Sequence, residues 1–235
     1  MKNKQHLIIN GAGSYGGGIY NKVKIRGEGT ITTDFECEEF KTFGTSDILK
    51  NGKAGKFSVF GETEVRGNLE CDIVKIFGTL SIGGSADVRK TQVWGSLDIN
   101  QRFTGEEADI KGSLTVQSDA EFERFHSSGA FEIAGLLNAG EVKLSLRFAT
   151  SHANEIGGEK IIVKRKSGFI PFTKGEGFLK VGLVEGDEIF LENTTANVVR
   201  GKSVHIGQGC KIGLVEYQEQ LITNPDAHIE DSRKI

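Results

Sequence analysis

From Val23 to Val142 the apolar residues come in pairs two apart, and the pairs are separated by intervals of four, four and three before the pattern restarts. One pair column holds Val23 and Ile25, Phe57 and Val59, Val74 and Ile76. The next holds Leu80 and Ile82, Leu97 and Ile99, Leu114 and Val116, and the third Phe35 and Cys37, Leu69 and Cys71. Residues two apart share one face of a strand. Between the first two pairs stands glycine, at Gly27, Gly44, Gly61, Gly78, Gly95, Gly112 and Gly129, a return every seventeen residues. A fixed period of this length means repeats that bury their apolar faces only by stacking on one another. Three short strands per seventeen residues, each sending two side chains inward, predict an all-β triangular solenoid, a parallel β-helix. The glycine column then marks a corner, where a positive φ that suits glycine is expected. Core volumes compensate within a coil: Phe103 pairs with Gly105 and Ala120 with Phe122, as an interior of constant width requires.

The period divides the chain. Residues 1–22 read as a flexible Gly-rich segment whose Leu7-Ile8-Ile9 docks on the solenoid or touches a membrane, and residues 23–145 as regular coils. Residues 146–217 read as an irregular continuation, because Leu146 stands where glycine is due and His152 to Gly158 looks like a loop. There Leu144 and Ile161, and then Val181, Val198 and Val215, keep a spacing of seventeen. Residues 218–235, polar and containing Pro225, read as a disordered tail.

Composition narrows the chemistry. Thirty-two glycines and two prolines among 235 residues suit many tight corners and few breaks in a hydrogen-bonded ladder. A net charge of -3 offers no general attraction for nucleic acid. No apolar run approaches the roughly 20 residues a membrane-crossing helix needs, and Leu7-Ile8-Ile9 is short for a signal peptide, so a cytoplasmic protein is expected. Cys37 and Cys71 fall in one column two coils apart, on the order of 9–10 Å, beyond disulfide reach. With Cys210 they form no zinc motif, and no metal is expected. Gly11 to Gly16 fits the G-x-G-x-x-G of dinucleotide sites, but the strand-like Val23-Lys24-Ile25 follows where a helix N-terminus would have to hold the pyrophosphate; no cofactor is expected. The five histidines share no column and the corners are too tight to wall a cleft, so a non-enzyme is expected, with a carbohydrate-active β-helix enzyme as the alternative.

The period, the columns, and the closing run Ile206-Gly-Gln-Gly-Cys-Lys-Ile-Gly-Leu-Val-Glu-Tyr217 make residues 23 to about 217 resemble the bactofilins, bacterial cytoskeletal proteins; the closing run is similar to the end of bactofilin-like proteins of bacilli. The resemblance implies a right-handed helix and nucleotide-independent assembly through β-helix ends. It also implies a cytoplasmic, in many members membrane-associated, scaffold that partners itself, a related bactofilin or another protein. A capped monomeric adaptor is the alternative within this class. The irregular second half departs from the short members.

Three groups are candidates for such contacts. Alternation turns the residue before the glycine outward, yet Phe43, Phe60, Phe77 and Trp94 stand there in four successive coils, a partner-interface candidate unless a segment covers them or the corner tilts them inward. Lys164, Arg165 and Lys166 precede Phe169, Ile170 and Phe172, a pairing that suits an anionic membrane or a long corner whose rings fill the core. Val215 and Tyr217, near the last expected coil, are assembly-end candidates, since a β-helix end leaves backbone groups unpaired.

Overall fold

A computed structural model describes residues 5–147, 149–166 and 177–235, and in them every regular element is a strand. The chain forms two compact units, Met1–Ser118 and Asp119–Ile235. The first contains β1 Gln5–Tyr15, β2 Gly18–Ile31, β3 Phe35–Thr42, β4 Thr45–Ile48, β5 Gly52–Val59, β6 Glu62–Val65 and β7 Leu69–Ile76. It continues with β8 Thr79–Ile82, β9 Ala86–Val93, β10 Ser96–Ile99, β11 Phe103–Thr104, β12 Glu107–Ile110 and β13 Ser113–Val116. The second contains β14 Ala120–Ser127, β15 Ala130–Leu146, β16 Thr150–Arg165, β17 Phe178–Leu191, β18 Thr194–Ile206, β19 Lys211–Thr223 and β20 His228–Lys234.

Each unit is a parallel β-solenoid. In the first, β3, β5, β7 and β9 lie side by side in parallel with Phe35 against Gly52, Gly52 against Leu69 and Leu69 against Ala86; β4, β6, β8 and β10 form a second parallel stack with the same seventeen-residue offset. An eight-residue strand such as β3 turns a corner midway, so its buried residues are Phe35, Cys37, Phe40 and Thr42, two on each face. With Ser46 and Ile48 of β4, every coil sends three pairs inward. Stacking repeats each pair along the axis: Phe40 lies flat on Phe57, ring centroids 4.1 Å apart, and Ser46 shares a 2.8 Å hydrogen bond with Thr63 inside the core. Each fully buried Ile, Leu or Phe contributes about 1.5–3 kcal/mol, a gain realised only with coils above and below.

The glycine column has a different cause from the one expected. Among its members only Gly27 has a positive φ, at 116°. At Gly44, Gly61, Gly78, Gly95 and Gly112 a Cβ would lie 1.9–2.1 Å from the carbonyl oxygen of the glycine one coil earlier. Corner backbones pass too close for any side chain, so the column records close approach rather than handed backbone.

The segments expected to be flexible at either end hold strands over most of their described residues. β1 adds a coil before β2 with Leu7 opposite Val23, Ile9 opposite Ile25 and Gly11 opposite Gly27. The offset is sixteen, which hid the repeat, and Gly11 is a corner glycine rather than part of a phosphate loop. At the other end β19 runs on to Thr223, and β20 pairs with β19 through Ile212–Ile229 and Tyr217–Lys234. In the second unit the spacing varies. Val142 lies opposite Ile161, nineteen on; Ile161 opposite Ile189, twenty-eight on; and Ile189 opposite Val204, fifteen on. Val181 faces Ala196, not Val198, so the seventeens read between Val181, Val198 and Val215 were coincidences of a valine-rich sequence. His152 to Gly158, read as a loop, lies within β16.

Candidate functional site

Register makes the outward column before the glycines into a ladder. Thr42, Val59, Ile76 and Val93 are buried, so the next residue of each coil points away from the core. Rings stacked at the rung spacing follow: Phe43 to Phe60 is 5.1 Å between centroids, Phe60 to Phe77 4.8 Å and Phe77 to Trp94 4.6 Å, with interplanar angles of 12°, 8° and 2°. The four side chains remain 39–46% exposed, so the corner does not tilt them inward. Their faces, however, are used. Inner faces lie on one another, the Lys24 and Lys41 ammoniums sit over Phe43 at 5.6 and 5.0 Å, and Lys111 sits over Trp94 at 5.2 Å. Such cation–π contacts are worth about 0.5–1 kcal/mol at an exposed site. What remains to solvent is ring edges, the partly positive rim of the π system. A platform for sugar or base stacking needs free faces; this ladder offers edges and ammonium groups, which suit oxygen acceptors.

A second ladder escaped the sequence reading. The Asp34 carboxylate accepts from the Asn51 backbone N–H at 2.9 Å, the Asn51 side-chain carbonyl from the Asn68 N–H at 2.9 Å, and the Asn68 carbonyl from the Ser85 N–H at 2.8 Å. Its signal was visible, an Asp/Asn/Ser column seven after five of the seven glycines (Asp34, Asn51, Asn68, Ser85 and Asp119), but the chain reads there only as a polar corner. This ladder satisfies corner N–H groups and is structural.

The remaining candidates are scattered. Lys164 lies 5.5 Å over the Phe190 ring, the Arg165 backbone N–H donates to Glu192 at 2.8 Å, and Lys166 is exposed; Phe169, Ile170 and Phe172 lie outside the described residues. Val215 is fully buried, and neither it nor Tyr217 is at an end, since β20 covers β19 with Ser232 opposite Val215. Beside them Glu216 accepts from Arg200 at 2.6 Å and from Arg233, and these guanidiniums, Arg233 foremost, hold its carboxyl below the usual range. A surface groove of the second unit brings Glu185, Asp187, Arg200 and Lys202 together, with Glu185 paired to Arg200 at 3.0 Å and Asp187 to Lys202 at 2.9 Å. All three thiols are buried; loss of water pushes Cys37 and Cys71 up to about 12 and Cys210 to about 11. Among the described residues no three His, Cys, Asp or Glu side chains are placed to hold a metal ion, and no helix is long and apolar enough to cross a membrane.

No family model matches the chain, and no solved structure matches it. Two proteins of Bacillus subtilis (strain 168) are similar to it. Uncharacterized protein YhbF is 48% identical over 101 residues, which span 43% of this chain and 42% of YhbF. Uncharacterized protein YhbE is 52% identical over 233 residues, 98% of each chain. Identity at that level along the whole solenoid, regular and irregular units alike, means that the chain belongs to the family of YhbE.

Proposed function

We propose that the chain is a non-enzymatic cytoskeletal scaffold of the bactofilin type, which self-assembles through β-helix ends and recruits a partner or a membrane through a side face. The observation that carries the reading is the N-terminal edge. β1 is eleven residues long, contains no Asp, Glu, Lys, Arg or Pro, and among the described residues pairs with β2 alone. A long uncharged edge strand is a template for another strand, and docking a second coil there would extend both the ladder and the Leu7/Ile9 column. The opposite end supports a second reading, the capped monomeric adaptor. β20 carries Glu230, Asp231, Arg233 and Lys234, all exposed, the kind of charged edge that discourages pairing. Joining through N-terminal edges alone would close as an isologous pair.

The test is electron microscopy and sedimentation of the full chain without nucleotide or metal, beside Leu7→Arg, which places a charge on the inward column of the edge strand. Assembly by the wild type that is lost in a folded Leu7→Arg protein is the expected result. A wild type that stays monomeric at micromolar concentration would leave the adaptor reading in its place.

A further inference from the structure

The coils of the first unit carry their surface charge sorted by face. On the face that ends in the aromatic ladder, the outward columns hold Lys24, Lys41 and Lys75 next to the rings, with Lys22, Arg26, Lys56, Lys90 and Lys111 around them, against three carboxylates, Glu39, Glu107 and Asp109. Across the glycine corner the outward columns hold Glu28, Asp47, Glu62, Glu64 and Asp98 among threonines and serines, and no cation. Three cations of the basic face are matched within the chain, Lys22 by Glu39 at 2.6 Å, Lys90 by Glu107 at 3.3 Å and Lys111 by Asp109 at 3.0 Å, and beside the acidic columns Arg66 lies 3.6 Å from Glu64. Six other charges of the two faces are not matched: Lys24, Lys41, Lys75, Asp47, Glu62 and Asp98 form no ion pair among the described residues. Partial loss of water and then the nearby Arg26, Lys41 and Lys22 pull the Lys24 ammonium below its ordinary pKa, so this face gains from outside carboxylates.

We propose that the basic, aromatic-edged face of the first unit docks side by side onto the acidic face of a second copy of this chain. Three features select that occupant. Both faces repeat at the same coil rise of about 4.8 Å, so lysine rows and carboxylate rows can meet rung for rung, a match that a lipid surface does not offer. The outward ring edges carry partial positive charge, and the facing columns are built of Asp, Glu, Ser and Thr oxygens. The two faces belong to one molecule, so the contact is heterologous and leaves a free basic face and a free acidic face on each pair, ready for the next copy. This deepens the scaffold reading and rests on its assignment of a side face to recruitment; the contact is lateral and independent of the strand edges.

The test is a charge swap in the full chain, followed by sedimentation velocity at about 50 mM and about 500 mM salt, since screening shortens the reach of exposed charges. Lys41→Glu with Lys75→Glu cancels most of the positive excess of the basic face; Asp47→Lys with Asp98→Lys cancels most of the negative excess of the acidic one; each variant keeps its other face. The expected result is salt-sensitive association of wild type, at least tenfold weaker association for either double variant alone, and recovery when the two are mixed. Wild-type association that both double variants retain and Leu7→Arg abolishes would keep the end-to-end scaffold and overturn the lateral contact. Failure of the mixed variants to associate would overturn it as well. So would a monomeric wild type that sediments with phosphatidylglycerol vesicles and loses them in Lys41→Glu/Lys75→Glu, for then the face's occupant is a membrane.

Discussion

Replacing Gly95 by alanine tests whether close approach or backbone handedness keeps the corner column free of side chains. A Cβ at Gly95 would lie 1.9 Å from the Gly78 carbonyl oxygen and 2.8 Å from that of Phe77. Restoring contact distance requires a shift of about 1 Å in a stack whose rungs lie about 4.8 Å apart. The Gly78 oxygen also accepts the Ser96 N–H at 2.9 Å, a bond that the shift would break at a cost of about 0.5–1.5 kcal/mol. Overpacking strain adds about 1–3 kcal/mol, and the stiffer unfolded chain returns about 0.4–1 kcal/mol. The net expectation is a destabilisation of about 0.5–4 kcal/mol. The assay is guanidinium unfolding followed by fluorescence, because the single tryptophan, Trp94, adjoins the site. Gly16→Ala is the control, since a Cβ there meets nothing within 4 Å. Gly95→Asn separates the causes: asparagine tolerates positive φ better than alanine does, but it fits a crowded corner no better. A Gly95→Ala cost equal to that of Gly16→Ala, or an asparagine variant clearly more stable than the alanine one, would refute the close-approach account.

Other outcomes follow from single contacts. The Thr91 hydroxyl is buried without a hydrogen-bond partner, so Thr91→Val should stabilise the first unit by about 1 kcal/mol, seen as a higher midpoint in the same unfolding assay. Cys37, Cys71 and Cys210, buried and with thiols pushed up to about 12, 12 and 11, should resist alkylation at pH 8 in the native protein and react at once in denaturant; rapid native labelling of Cys71 would contradict the packing of its coil. Glu216 has its folded pKa depressed by Arg233 and Arg200. Its contribution is therefore present above the usual carboxyl value of 4.5 and lost as pH falls through the lower folded value. Limited proteolysis of β20 should accelerate below about pH 4 in the wild type, and Glu216→Gln should remove most of that pH dependence while raising cleavage at neutral pH.

The regular coils were legible because every inward column repeats its chemistry at a constant offset, and a ladder in constant register makes sequence columns into spatial columns. Phe43, Phe60, Phe77 and Trp94 were found in this way. What failed to show was anything at a different offset. β1 repeats Gly27 at Gly11, one residue short, and its Gly-rich turn imitates a phosphate loop. The second unit keeps the parallel register while its coils shift by nineteen, twenty-eight, fifteen and then about seventeen residues between Val142, Ile161, Ile189, Val204 and Leu221. Valine recurs often enough there for false seventeens to appear. β20 was missed for a physical reason: among the described residues it packs against β19 alone, so fewer of its residues need be apolar, and Ile229 keeps the inward pattern opposite Ile212.

A solenoid also gives surface columns a meaning that single residues lack. A lysine in one coil is an ordinary solvated charge, but a column of lysines without alternating carboxylates builds like-charge repulsion into every added coil. The first unit avoids this where it can, as Lys22 against Glu39 and Lys90 against Glu107 show. Lys24, Lys41 and Lys75 on one side of the glycine corner and Asp47, Glu62 and Asp98 on the other stay unmatched among the described residues, and the repulsion works against the coil stacking that holds the fold together. The aromatic ladder lowers this cost by placing π faces under Lys24, Lys41 and Lys111, yet it leaves its ring edges in water. Both costs fall when an oxygen-rich surface with the same rise lies against the ladder, and the chain carries such a surface one corner away.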